Sequence, residues 1–127
     1  MTLPKRKPKA QDAAKRWRSD AHRRWVTSTF CCAVCGAESP IEAAHVSMGS
    51  QSGTGLKTDD WRVVPLCGTT IKGEGCHQVQ HRRGERSFWT EYQLRYGQSV
   101  EDLIASLCKA SPKSAEIAKA QRERADG

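Results

Sequence analysis

Two pairs of cysteines place the strongest limit on the structures that this chain can adopt. The first pair, Cys32 and Cys35, is separated by two residues and followed by a glycine. That spacing is typical of a tight turn that directs both sulfurs at one metal ion. A later pair would supply the other two thiolates of the closed tetrahedral site that structural zinc prefers. The sequence therefore predicts a structural zinc ion with the ligands Cys32, Cys35, Cys67 and Cys76.

The second cysteine pair leaves the choice of ligands open. Eight residues separate Cys67 from Cys76, which is a longer interval than that of the first pair. An alternative set would combine the first pair with Cys76 and either His77 or Cys67. Because Cys32 and Cys35 have the two-residue spacing of a metal-binding pair, Cys31 is predicted not to bind the metal. Cys108 lies in an apolar helical segment and is predicted to be a core residue.

Length and composition favour a metal-stabilised fold over a large apolar core. The chain has 127 residues, 37% of them hydrophobic, and a mean hydropathy of −0.69. A small domain of this kind can gain folding free energy from metal ligation. The N-terminus lacks the apolar run of a signal peptide, and no stretch is long enough to span a membrane. We therefore expect a cytoplasmic protein with reduced thiols and no membrane partner.

The positive charge of the chain is concentrated near its N-terminus. The net charge is +7, and residues 1–26 hold nine lysines and arginines against two acidic residues, whereas the remainder is balanced. A dense basic segment suits a phosphate backbone, which makes DNA the expected partner. The alternative is a basic tail that only aids solubility. The residues expected to contact DNA are Lys5, Arg6, Lys7, Lys9, Arg16, Arg23 and Arg24.

The basic segment divides into an arm and a helix. Residues 1–9 contain two prolines among four basic side chains and are predicted to be disordered. Residues 10–29 are predicted to form a basic amphipathic helix, because alanines and two tryptophans recur at helical spacing. Trp17 and Trp25 are expected to pack on the body of the domain. His22 is expected at the surface or against a phosphate.

Two strands and a helix are predicted after the first cysteine pair. Residues 41–46 and 61–66 have strand character, and a loop rich in glycine and serine separates them. This loop lacks the pattern of a nucleotide-binding P-loop. A helix is predicted to begin at Cys76 and to end near Gly84.

The C-terminal part of the chain is predicted to be helical. One helix should cover residues 86–96 and stop at Gly97, and Ser99 should cap the next. Ser111 begins a last, polar helix that should extend to Arg124 and fray at its end.

Three of the four histidines lie on these strands and the helix that follows them. His77 and His81 are four residues apart, so on a helix they share a face and could hold a divalent cation such as Mg²⁺ or Mn²⁺. Such a cation would stabilise the charge on a scissile phosphate. His45, at a strand end, could accept a proton from the attacking water near neutral pH. Pairs of histidines at this spacing also occur by chance.

The order of these features resembles the HNH endonuclease family, whose ββα-metal fold has two strands followed by a helix. The likeness lies within residues 30–90 and is carried by AAHV, DDWRVVPLC and CHQVQH. The cysteine pairs are similar to those of the zinc-bound branch, and the two helix histidines to the nuclease colicins. The segment GTGLKTDDW and the pair Phe88 and Trp89 resemble small phage- and prophage-encoded HNH proteins, including recombination-associated ones.

The resemblance implies a small α+β fold. A ββα-metal nuclease domain stabilised by zinc would occupy residues 30–96. The N-terminal basic helix would flank it on one side, and helices with a polar tail, residues 97–127, on the other. The implied activity is cleavage of DNA phosphodiester bonds with low sequence specificity, in phage or prophage DNA processing or recombination.

The resemblance also implies a role for each motif residue. His45 would be the general base, and Asp60 would orient it, with Asp59 as the alternative in a neighbouring register. His77 and His81 would bind the catalytic divalent cation, and His77 would be essential for cleavage.

Two positions depart from the family pattern. Ala44 stands where a metal ligand is often found, and the middle residue is aspartate where asparagine is usual. Glu42 could supply a ligand only if the strand bends, because it lies three residues before His45 and alternate residues face opposite sides. The second function compatible with the sequence is a non-catalytic, zinc-stabilised nucleic-acid-binding module. A third is a zinc-scaffolded protein-interaction factor.

Overall fold

The computed structural model describes residues 16–49 and 58–126 of the chain. These ranges contain five α-helices, a two-stranded antiparallel sheet and a short 3-10 turn, so the fold is small and of the α+β class. None of these helices combines the length and apolar character needed to cross a membrane. In chain order the elements are α1 (Asp20–Thr29), β1 (Ile41–His45), the 3-10 turn (Asp60–Arg62), β2 (Val63–Cys67), α2 (Cys76–Arg83), α3 (Glu85–Tyr96), α4 (Val100–Ala110) and α5 (Ser114–Asp126).

The two strands run antiparallel over their full length. Ile41 pairs with Cys67 at one end, and His45 pairs with Val63 at the other. Every residue of β2 is buried, whereas β1 is only partly covered. A sheet of two strands is marginal in water, so it depends on the helices and loops that cover it.

Strand β2 is shifted relative to the prediction for residues 61–66. Its first predicted positions belong to the 3-10 turn, and the strand continues through Pro65 to Cys67. Pro65 lacks a backbone N–H, but its carbonyl accepts a hydrogen bond of 2.9 Å from the N–H of Ala33. The proline thus links the first cysteine turn to the sheet and does not end the strand.

Helix α1 is shorter than predicted. The expectation of one helix over residues 10–29 is wrong at residues 16–19, which are not helical. Ser19 caps the helix, because its hydroxyl accepts a 3.1 Å hydrogen bond from the backbone N–H three residues later. The preceding backbone is held away from helical geometry by a 2.6 Å bond from the N–H of Trp17 to Asp59. The predicted arm and the helix positions before residue 16 lie outside the described residues.

His22 is buried, contrary to the expectation of a surface residue. Its side chain is fully covered, and its Nδ1 lies 2.8 Å from the hydroxyl of Ser111. Trp17 precedes His22 in sequence and Trp25 follows it, and both rings contact its imidazole. Burial lowers the pKa of His22, and the nearby Asp60 charge only partly opposes this. A neutral histidine therefore fixes α1 against the junction of α4 and α5.

The core is formed by β2, the end of β1 and the inner faces of the helices. Trp17 and Trp25 pack against it, as predicted. Cys108 is also buried, and burial raises the pKa of its thiol to about 11. At the centre, the indole N–H of Trp89 donates a 2.7 Å hydrogen bond to Gln80. The most deeply buried apolar side chains are Val26, Ala44, Val46, Val63, Val64, Leu66, Trp89 and Ile117.

The C-terminal helices begin and end close to the predicted positions. Gly97 adopts a left-handed conformation, with φ of +71°, and ends α3. Ser99 caps α4 by accepting a 3.1 Å hydrogen bond from the N–H of Asp102. The expected fraying of α5 is not observed, because the guanidinium of Arg124 forms two hydrogen bonds to Asp59, of 2.7 and 2.8 Å.

Arg62 connects the 3-10 turn to the segment after β1 and to α4. Its side chain is 9% exposed and donates to the carbonyl oxygens of Val46, at 3.0 Å, and Met48, at 2.8 Å. Its guanidinium also pairs with Glu101, at 2.5 and 2.8 Å, although the Glu101 side chain is half exposed. The two carbonyl contacts, of which the one to Val46 is buried, should therefore matter more to stability than the half-exposed carboxylate.

We expect Arg62→Ala to lower the free energy of unfolding by about 2 kcal/mol, because two carbonyl oxygens lose their donors. Glu101→Ala should cost less than about 1 kcal/mol, because water screens the half-exposed pair. Urea denaturation of both variants measures the difference. Equal losses would show that the ion pair, and not the carbonyl contacts, carries the effect.

Candidate functional site

Four cysteine sulfurs converge at the end of the sheet where β2 meets α2. All four lie within 4.8 Å of one another, and the sulfurs of Cys35 and Cys67 are 3.6 Å apart. A tetrahedron with metal–sulfur bonds of about 2.3 Å has sulfurs about 3.8 Å apart, so the cluster fits a metal ion such as zinc. His77 is not a member of the group. The four cysteines are those predicted from the sequence: Cys32, Cys35, Cys67 and Cys76.

The first pair is positioned by a tight turn that is attached to the sheet. The N–H of Gly36 donates to the carbonyl of Cys32 at 3.0 Å, and the N–H of Cys32 donates to the carbonyl of Ala37 at 2.9 Å. Gly36 has a φ of +78°, which favours glycine. Together with the bond from Ala33 to Pro65, these contacts place the turn directly against β2.

The second pair is positioned by a loop whose two ends touch. The N–H of Cys76 points at the sulfur of Cys67, with an N–S distance of 3.2 Å. Gly75, just before α2, lies against Gly68, the first residue of the loop. A Cβ added to Gly75 would be only 2.3 Å from the carbonyl carbon of Gly68. The absence of a side chain at Gly75 allows α2 to begin beside the end of β2.

The four thiols cannot all ionise without a compensating positive charge. Burial raises the pKa of the Cys32 thiol, but backbone N–H groups of Val34, Cys35 and Cys67 outweigh it and lower this pKa to about 7. Burial and the nearby Cys32 sulfur raise the pKa of Cys76 well above its usual range. Burial also raises the pKa of Cys67. A bound cation would favour all four thiolates, as coordination of zinc requires.

A second polar cluster is built around His45 and Asp60. The Nε2 of His45 lies 2.8 Å from a carboxylate oxygen of Asp60, whose side chain is 2% exposed. The other oxygen of Asp60 accepts a 2.9 Å bond from the N–H of Ser19, and the Nε of Arg23 lies 3.1 Å from it. Burial raises the pKa of Asp60, but the His45 contact, the Ser19 bond and the Arg23 charge together hold it below its usual value. Asp60 is therefore ionised at neutral pH.

The ionised carboxylate determines the proton position on His45. Asp60 can only accept, so Nε2 of His45 carries the hydrogen and Nδ1 of the neutral ring has a free lone pair. The His45 side chain is 32% exposed, so water can approach it. Asp59, the alternative to Asp60, instead binds the backbone of Trp17 and the guanidinium of Arg124.

A third cluster lies at the start of α2. The Nδ1 of His77 is 2.8 Å from the carboxylate of Glu42, and its Nε2 is 3.2 Å from the Nε2 of His81. Glu42 thus contacts a histidine and not the sulfur cluster. Because it accepts from Nδ1–H, the lone pair of His77 Nε2 faces the side of His81.

The predicted site residues pair with two different carboxylates. Glu42 contacts His77, and His45 contacts Asp60, whereas strand alternation directs the side chains of Glu42 and His45 to opposite faces of β1. Within residues 16–49 and 58–126, the four cysteines form the only group of three or more potential ligands at metal-binding distance. His45, His77 and His81 therefore do not lie close enough together to bind one metal ion as three ligands.

Three of the seven residues expected to contact DNA lie within the described part of the chain. The four basic residues between positions 5 and 9 lie outside the described residues. Arg16 is half-buried and Arg24 is exposed. Arg23 is already engaged by carboxylates, because it pairs with both Asp20 and Asp60. Its contact with Asp60 crosses the fold, and no local spacing in the sequence indicates it.

Comparison of the chain with protein-family models, with curated proteins and with solved structures found no match. The likeness to HNH endonucleases therefore rests on the motif residues of the sequence alone.

We expect Gly75→Ala to destabilise the zinc-loaded protein by about 3 kcal/mol, because the new methyl group would overlap backbone atoms and not a flexible side chain. It should also weaken zinc binding, since α2 could no longer begin beside β2. Ser106→Ala, at an exposed helical position, serves as the control and should change stability by less than about 0.5 kcal/mol. Similar urea midpoints for the two variants would contradict the close approach.

The buried Asp60 carboxylate predicts a pH dependence of stability. Its pKa is lower in the folded chain than the ordinary value of 3.8, so its contribution is complete above that pH and disappears as the pH falls further. At pH 7, Asp60→Asn should cost about 2 kcal/mol, and this deficit should shrink in acid. Asp102→Asn, on the exposed surface, is the control. Urea denaturation across pH 2–7 would refute the assignment if the Asp60→Asn deficit stayed constant.

Proposed function

We propose that this protein is a metal-dependent DNA endonuclease with low sequence specificity, and that zinc bound by the four thiolates stabilises its fold. The observation that supports it most strongly is the pair formed by His45 and Asp60. A partly exposed histidine is held by a buried carboxylate so that one ring nitrogen is available as a base. The basic excess in residues 1–26 supplies the electrostatic affinity for DNA.

In this proposal His45 activates the attacking water. The Nδ1 lone pair accepts a proton from the water, and the Asp60 carboxylate stabilises the imidazolium that forms. The hydrogen bond from His45 Nε2 to Asp60 also prevents rotation of the ring. Burial of Asp60 strengthens this contact, because water cannot screen it well.

His77 and His81 are proposed to hold the catalytic divalent cation. Their Nε2 atoms are 3.2 Å apart, which suits two nitrogens bound at about 2.1 Å to one ion. Glu42 orients His77 by accepting from its Nδ1 and raises the basicity of the ligand nitrogen. A cation bound there would stabilise negative charge on the scissile phosphate and the leaving oxygen.

One observation favours a second function. His45 and the pair of His77 and His81 contact different carboxylates on the two faces of β1. A non-catalytic, zinc-stabilised nucleic-acid-binding module would need no single site that unites them. The endonuclease differs from this module in requiring both clusters for one reaction.

Nicking of supercoiled plasmid by the zinc-loaded protein, with added Mg²⁺ or Mn²⁺, distinguishes the two functions. For an endonuclease, His45→Ala should lower the nicking rate by about 10²–10⁴-fold, because the general base is lost. His77→Ala should abolish nicking without unfolding the protein. Gln78→Ala, at an exposed position on the same helix, is the matched control and should retain the wild-type rate.

Salt-sensitive DNA binding by the wild type without nicking in either metal would contradict the endonuclease and support the binding module. Unchanged nicking by His45→Ala would contradict the role of His45 as the base.

A further inference from the structure

The loop between the second pair of cysteines presents an isolated apolar side chain to solvent. Ile71 is fully exposed, with an accessibility of 105%, whereas the rest of the loop is polar or glycine. The other exposed large apolar residues among those described, Leu94 and Tyr96, lie on α3. Leaving an isoleucine in water forgoes about 1.5–3 kcal/mol of burial free energy, and no contact within residues 16–49 and 58–126 compensates for this.

The turn that carries Ile71 is held in place by hydrogen bonds. Thr70 and Gly73 exchange two backbone hydrogen bonds, of 3.0 and 3.1 Å, around Ile71 and Lys72. The hydroxyl of Thr70 accepts a further 3.1 Å bond from the N–H of Lys72. The base of the loop is closed by a 3.1 Å bond from the N–H of Gly75 to the hydroxyl of Thr69. The tip is thus an ordered projection.

The loop is bounded by two of the four clustered cysteines, and its residues lie beside side chains that neighbour His77 and His81. Glu74 pairs with Arg82 on α2 at 3.0 Å, one position after His81. At the other end, the Glu42 carboxylate occupies the space beside Gly68, where an added Cβ would be 2.9 Å from it. Glu42 also binds His77. Ile71 therefore projects from the loop that borders His77 and His81, the residues proposed to hold the catalytic cation.

We propose that the turn Thr70–Gly73 is a DNA-contacting wedge, in which Ile71 inserts between base pairs from the minor groove and Lys72 neutralises a phosphate. This inference rests on the proposed function in taking duplex DNA as the ligand. A single apolar side chain on a fixed turn is sufficient to unstack one base step. A stable protein interface needs about 800 Å² on each partner, which one projecting residue does not supply. The lysine next to the isoleucine also favours a polyanion.

Binding of a short duplex by the zinc-loaded protein, without added divalent cation, tests the wedge independently of cleavage. The duplex carries 2-aminopurine, whose fluorescence rises when the base is unstacked. We expect the wild type to bind and to increase the fluorescence. Ile71→Ala should weaken binding by about ten-fold and remove the fluorescence increase, because the buried apolar contact is lost. Leu94→Ala removes an exposed apolar side chain from α3 and should leave both signals unchanged.

Lys72→Ala should reduce the slope of log Kd against log salt by about one, because one phosphate contact is lost, whereas Lys109→Ala on α4 should not. Thermal unfolding of each variant verifies that the fold is retained. If Ile71→Ala behaves like Leu94→Ala in affinity and fluorescence, the wedge is refuted, whether or not the wild type nicks plasmid. Wild-type protein that fails to bind the duplex also refutes it. A wild type that shows the wedge signals but never nicks refutes only the endonuclease.

Discussion

The convergence of four cysteine sulfurs at one point is the constraint on which the rest of this structure depends. Three separate parts of the chain meet at the sulfur cluster: the turn after α1, the end of β2 and the first residue of α2. Four thiolates at this spacing would repel one another, and a bound cation would offset that repulsion. In our proposal one zinc ion thus stabilises a two-stranded sheet that would be marginal alone.

The position of α2 determines what the polar residues can do. Because α2 begins at Cys76, beside the end of β2, its first turn places His77 next to Glu42 at the near end of β1. The far end of β1 carries His45, which meets Asp60 and the segment preceding α1. The same short strand therefore supports two polar clusters, one on each face. A nuclease must engage both clusters with one DNA backbone, whereas a binding module need not.

Features with a local signal could be predicted from the sequence. The four cysteines, strand β1, helix α2 and the caps at Gly97 and Ser99 all lie where their spacing and residue types indicate. Strand alternation also anticipated that Glu42 and His45 would point to different faces. The sequence could not show whether helix α2 would approach Glu42 or His45. This depends on the contact between the loop ends at Gly68 and Gly75.

Features that depend on contacts between distant residues were missed. Helical spacing around Trp17 suggested an unbroken helix, but the backbone there binds Asp59, far away in sequence. His22 looked like a surface residue within a basic segment, yet Ser111 and two tryptophans bury it. The polar end of α5 is ordered through Arg124 for the same reason. None of these contacts leaves a periodic pattern in the sequence.

The most direct test of the central claim is a zinc titration of protein made metal-free under reducing conditions, followed by circular dichroism and native mass spectrometry. We expect the metal-free chain to lack stable tertiary structure and to regain it with one zinc ion per chain. His77→Ala should do the same, whereas Cys76→Ser should fail to recover. Metal-free protein with unchanged helical content and thermal stability, or recovery that is indifferent to Cys76→Ser, would contradict a fold organised by the four thiolates.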